Sequence, residues 1–186
     1  MYSNTKISNT ESSNELLECF DDNGNAIQPK NRQKIHTMPP SVWHGVASVW
    51  LFNSKGKILC SKRSDKLSGN PGKWQTYFGG HVKADNNFLQ TAQRELEEEV
   101  ELDLPSDNFK LVDSGKRQDV MHIYKMYAVL FEDDLSKLNF TDGEIVEMKW
   151  LAFDDYLSDR NSSPNKWCNS INKAQHSKAL AALRLN

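Results

Sequence analysis

The stretch from Phe88 to Val100 constrains the fold more than any other part of the chain. Asn87 followed three residues later by Gln90 has the spacing of a capping box, which opens a helix by satisfying its first free N–H groups. On a helix advancing about 100° per residue, Leu89, Ala92, Leu96 and Val100 form an apolar stripe. Glu95, Glu98 and Glu99 fall within an arc of roughly 100° beside that stripe, while Glu97 points away. The acidic arc lies at the margin of the buried face, where it can line a cleft. Carboxylates at i, i+3 and i+4 repel one another, and a cation relieves the repulsion. An oxygen-only donor set selects a hard divalent ion such as Mg2+ or Mn2+. An acidic run in isolation is more often a solvated helix face, so a metal site needs support from what surrounds the helix.

That surrounding pattern is rich in strands. Leu16 to Phe20, before Asp-Asp-Asn-Gly, reads as a strand entering a turn, and Trp43 to Phe52 as a buried strand. Asn53 to Gly56 is a turn, and Lys57 to Arg63 completes an expected hairpin. Turn-forming and basic residues from Lys66 to Lys73 precede a short strand, Gln75 to Phe78, which Gly79-Gly80 is expected to break. Such a double glycine lets backbone approach a phosphate and its metal closely. Beyond the acidic helix, Phe109 to Ser114, Met121 to Phe131 and Ile145 to Phe153 read as strands. Trp167 to Leu185 reads as a closing helix with Ile171, Ala179 and Leu183 on its buried face.

A length of 186 residues suits one α+β domain, expected over 14–186, behind a Ser/Asn/Thr-rich tail, 1–13, expected to be disordered. The net charge of -2 supplies no general attraction for a nucleic acid polymer or an anionic membrane, so phosphate affinity must be local or metal-borne. Three dispersed cysteines, Cys19, Cys60 and Cys168, give neither a disulfide framework nor a thiolate zinc site, and fit a reducing compartment. With no apolar leader or spanning segment in the sequence, a cytoplasmic location is expected; no feature sets an oligomeric state.

Gly80, five residues, Asn86, seven residues, and then Arg94-Glu95-Leu96-Glu97-Glu98-Glu99-Val100-Glu101-Leu102 resemble the Nudix box. The family pattern has Glu where Asn86 stands, bracing loop and helix, and Gly where Glu101 stands. The resemblance implies the Nudix fold, a mixed β-sheet sandwiched between helices. It also implies hydrolysis of a diphosphate linkage in a nucleoside diphosphate-type or related small molecule, with Mg2+ or Mn2+ as cofactor. Glu95, Glu98, Glu99 and the Gly79 carbonyl are then the metal ligands, and Glu98 is catalytic. Lys62, Arg63 and Lys73 are expected to offset phosphate charge, and Glu144, in Asp142-Gly-Glu-Ile, to act as general base.

Trp43 to Val82 further resembles the subgroup related to isopentenyl diphosphate isomerases, through the turn at Asn53, the Lys62-Arg63 pair, Pro71-Gly72-Lys73-Trp74 and Gly79-Gly80-His81. By that likeness His36, His44 and His81 fall where metal-binding histidines stand, implying a second metal. The isomerase's catalytic cysteine would fall at Gly79, and its later acidic pair within Val120 to Lys125, which contains no carboxylate. A hydrolase is therefore the first reading. An isomerase-like enzyme and a catalytically inactive Nudix-fold binding module are the alternatives.

Overall fold

The computed structural model describes residues 15–36, 40–132, 134–140, 143–168 and 170–185. The expected tail, 1–13, lies outside them. Along the described residues run β1 (Leu16–Phe20), β2 (Ala26–Asn31), α1 (Arg32–Ile35), β3 (Trp43–Phe52), β4 (Ile58–Arg63), β5 (Trp74–Gln75) and β6 (Phe78–His81). Then follow α2 (Phe88–Val100), β7 (Lys110–Arg117), β8 (His122–Leu130), β9 (Ile145–Leu151), α3 (Phe153–Ser162) and α4 (Lys173–Leu183).

The organising strand is β3, buried along nearly its whole length. Its period of two sends Ala47, Val49 and Leu51 to one face, where they meet Ala92, Leu96 and Val100 of α2. Trp50 and Phe52 go to the other face, against Phe153 and Tyr156 of α3 and Ala179 of α4. Helices cover both faces, which is why the strand reads as a continuous apolar run. The sheet is mixed: β8 lies parallel to β3, from His44↔His122 to Phe52↔Leu130, and β6 lies antiparallel to it, from Val46↔His81 to Val49↔Phe78.

Four local expectations give way to tertiary structure. The hairpin after Asn53 keeps its turn but only one strand pair, Phe52↔Ile58, because β4 leaves β3 and forms its ladder with β9 and β5. Gly79-Gly80 do not end a strand; they lie inside β6, where a Cβ on Gly79 would stand 2.3 Å from the Ala47 carbonyl oxygen. At the carboxyl end Phe153 begins α3 instead of extending β9. Trp167 precedes α4 and pairs with Trp74, while the helix starts at its own capping box, Asn172 with Gln175.

Candidate active site

The capping box expected at the start of α2 is present: Asn87 accepts from the Gln90 N–H at 2.9 Å, and Gln90 accepts from the Asn87 N–H at 2.9 Å. This fixes the helix start, and two to three turns later Glu95 and Glu99 land on β6. Glu99, only 9% exposed, accepts the Gly79 N–H at 2.9 Å. The Glu95 carboxylate fills the space a side chain would take at Gly80, where a Cβ would lie 2.5 Å from it. Arg94 donates to Glu95 at 2.7 Å and also bonds Glu98, so one guanidinium orients two of the three acids. Burial raises the pKa of Glu95, which Arg94 opposes and the Glu98 charge reinforces. One guanidinium does not balance three crowded carboxylates. Two acids set against backbone and a third, Glu98, with its side chain 54% exposed, are a donor set that fits a hard divalent cation.

The two departures from the Nudix box have visible consequences. Glu101 adopts the left-handed conformation, φ 55, that glycine would take without strain. Its N–H still closes the helix on Glu97 and Leu96, and its carboxylate accepts from Asn139 at 3.0 Å. The Asn86 amide donates to Ala84 at 3.4 Å within its own loop, so the start of the helix is held by Asn87.

The acids open onto a cleft of about 870 Å³. Arg63 and Glu144 line it, whereas Lys62 and Lys73 lie outside its lining. Arg63 is held by the Gly69 carbonyl at 3.0 Å and the Gln75 side chain at 3.2 Å. Glu144 is exposed at the entry to β9, its carbonyl accepting from the Ser64 N–H at 2.7 Å. Arg94, Arg117, Arg160, Tyr77 and Tyr124 also line the cleft. Sequence reasoning assigned none of these a site role; only Arg94 carried a signal, its place in the motif.

The three expected histidines do come together. One donor nitrogen from each of His36, His44 and His81 lies within 4.8 Å of the others, with the two Nε2 atoms of His36 and His81 3.1 Å apart. A fourth, His122, stands beside them: its register partner across the parallel ladder is His44, and their rings are 4.7 Å apart. Burial, with Arg32 and the neighbouring imidazoles, depresses His81 to about 2. Burial and His44 hold His122 down to about 4. Burial lowers the pKa of His36 and His44 as well.

Residues 42–168 match the family model of the NUDIX domain. The chain is 28% identical over 139 residues to Nudix hydrolase 3 of Arabidopsis thaliana, a match covering 68% of this chain and 18% of that protein. It is 31% identical over 99 residues to an isopentenyl-diphosphate Delta-isomerase of Clavibacter sepedonicus, covering 53% of this chain and 52% of the relative. The crystal structure of DR0079 from Deinococcus radiodurans superposes with a TM-score of 0.67 at 19% identity, over 91% of this chain and 98% of that one, which shows the shared fold. The chain belongs to the NUDIX domain family. It spans about half or less of these two curated relatives.

Proposed function

We propose that this protein is a metal-dependent hydrolase that cleaves the diphosphate linkage of a nucleoside diphosphate-type or related small molecule. The observation that carries this reading is the convergence of Glu95 and Glu99 on the Gly79-Gly80 strand, with Glu98 beside them at the wall of an open cleft. Glu95, Glu98, Glu99 and the Gly79 carbonyl would hold Mg2+ or Mn2+, which supplies charge neutralisation for the diphosphate and a lowered pKa for water. Hydrolysis forms a bond from the water oxygen to one phosphorus and breaks that phosphorus's bond to the bridging oxygen, which leaves on the other phosphate. Glu144, on the cleft wall, is the group assigned to take the proton of the attacking water. Arg63, whose guanidinium is held by Gly69 and Gln75, would contact phosphate oxygens, with Lys62 beside it on β4 and Lys73 on the loop before β5 adding positive charge.

An isomerase is disfavoured on steric grounds as well as chemical ones. A cysteine at Gly79 would press its Cβ into the Ala47 carbonyl and the Ser48 backbone. The test is release of phosphate or nucleoside monophosphate from a panel of diphosphate compounds with Mg2+ or Mn2+, comparing the natural chain with Glu98→Gln. Metal-dependent turnover that vanishes in the variant is the expected result. No turnover of any compound by folded protein would turn the reading to a binding module.

A further inference from the structure

We propose that the side of the cleft built by α3 and α4, across the sheet from α2, is a subsite for a second anionic group, so that the substrate is a diphosphate whose other arm itself bears a phosphate or carboxylate. The inference rests on the hydrolase reading for where the diphosphate lies. A connected set of hydrogen bonds frames the subsite. The Thr76 hydroxyl, next to Tyr77, accepts the Ile171 N–H at 3.3 Å. The Tyr156 hydroxyl donates to the Ile171 carbonyl at 3.0 Å and accepts from Arg160 of α3 at 3.3 Å. Asn172 and Gln175 follow at the start of α4, and Gln175 donates to Asp113 of β7 at 2.8 Å. Tyr124 of β8 donates to the same carboxylate at 3.4 Å. Its phenol end lies over Gly115, where a Cβ would stand 3.0 Å from the hydroxyl oxygen. Arg117, two residues beyond Gly115 on β7, shares that face of the strand.

Within this frame acceptors are spent and donors remain. Asn172 Oδ1 accepts the Gln175 N–H at 2.9 Å, and Gln175 Oε1 accepts the Asn172 N–H at 3.1 Å. Both Asp113 oxygens are engaged, Oδ2 by Gln175 and Tyr124 and Oδ1 by Lys178 at 3.4 Å. What lines the cleft here without a partner among the described residues is the side-chain NH2 of Asn172, the hydroxyl of Tyr77 and the guanidinium of Arg117. Arg160 gives one bond to a neutral hydroxyl, and neither arginine has a carboxylate partner among the described residues. Asn172 NH2 and the two guanidinium groups can only donate.

That inventory selects the ligand. A hydrocarbon tail offers these groups nothing, and a neutral sugar or nucleobase brings donors as well as acceptors. A phosphate or carboxylate accepts only, and takes guanidinium in a two-bonded fork. The cleft's carboxylates do not cancel the charge: Glu95, Glu98 and Glu99 belong to α2, and Glu15 is held by Arg32 at 2.7 Å and Lys83 at 3.4 Å. The subsite also adjoins the place assigned to the diphosphate. Tyr77 lies between Gln75, which holds Arg63, and Gly79, which donates to Glu99.

The test measures binding without turnover. The full chain in millimolar Mg2+ is titrated by calorimetry with the α,β-methylene analogue of adenosine diphosphate, whose bridge cannot be hydrolysed, and with its 2′-phosphate, 3′-phosphate and 3′-succinyl derivatives. We expect at least one derivative to bind about 10-fold or more tightly than the parent, the phosphate and succinyl arms showing which anion is preferred. Arg117→Gln and Arg160→Gln should each bring that derivative to within about 3-fold of the parent, and Arg117→Lys, which keeps the charge without the fork, should retain part of the advantage. Circular dichroism confirms that each variant is folded. Equal affinity of parent and derivatives for the natural chain, or an advantage unchanged in both glutamine variants, overturns the subsite. Such equality, with parent binding that Glu98→Gln abolishes, leaves the hydrolase reading standing; no binding of any of these compounds by the folded chain overturns the subsite and counts against that reading too.

Discussion

Glu95, Glu98 and Glu99 come from successive turns of one helix, whereas His36, His44, His81 and His122 are gathered from four segments of the chain. The two groups share a cleft but differ in how they are held. The acids are crowded, and a neighbour on their own helix, Arg94, steadies two of them, Glu95 and Glu98. Burial disfavours the charged form of the imidazoles, and strand register places three of them, His44, His81 and His122. The glutamate geometry therefore depends on the helix meeting β6, and the histidine geometry depends on β6 and β8 meeting β3 correctly. A change confined to α2 should disturb one region alone, while a change in β6 should disturb both.

The largest expected effect tests the first half of that statement. Glu98→Gln should lower turnover by roughly 10²- to 10⁴-fold with little change in melting temperature, since Glu98 is the most open of the three acids. A large drop in melting temperature would show the acid to be structural. Next comes Gly79→Ala, whose Cβ meets backbone at 2.3 Å and cannot be accommodated by a side-chain rotation. It should cost about 2–4 kcal/mol in chemical denaturation and impair both regions, because β6 supplies the partner of Glu99 and also carries His81. Gly80→Ala, by contrast, meets the Glu95 carboxylate, so activity should fall further than stability.

Arg94→Lys sharpens the comparison from the other side. Lysine keeps the charge but loses the fork that reaches Glu95 and Glu98 together, and kcat should fall about 10-fold while the circular dichroism spectrum stays unchanged. The smallest effect belongs to Glu101→Gly. Relief of the left-handed strain should raise stability by about 0.5–1 kcal/mol after loss of the Asn139 contact, seen as a higher melting temperature. A lower melting temperature would mean that the Asn139 contact outweighs the strain.

Much of the helix and its cluster of acids was legible because both follow from neighbours a few residues apart. The Asn87–Gln90 box, the apolar stripe and the acidic arc are local periodicities, and α2 spans the expected Phe88–Val100. The bounds expected for β1 and β3 also hold, since a mostly apolar run bounded by turn-forming residues leaves a strand few alternatives. The sequence could not say that Phe153 opens a helix or that Gly79-Gly80 continue a strand. Both depend on what packs opposite them: Tyr156 and Trp167 around Phe153, and the Ala47 backbone beside Gly79. Lys62 and Lys73 look as basic in sequence as Arg63, but only Arg63 lines the cleft.

By itself, then, the sequence determined the acidic helix, its cap and the family motif, because a helix brings residues three and four apart onto one face whatever surrounds it. The tertiary structure decided the rest of the cleft. His122 joins the other histidines only through the parallel register of β8 on β3, and Arg117 and Arg160 reach the same cleft from a strand and a helix far apart in the chain. Contacts of that kind are set by sheet register and helix packing over long loops, which no local spacing encodes.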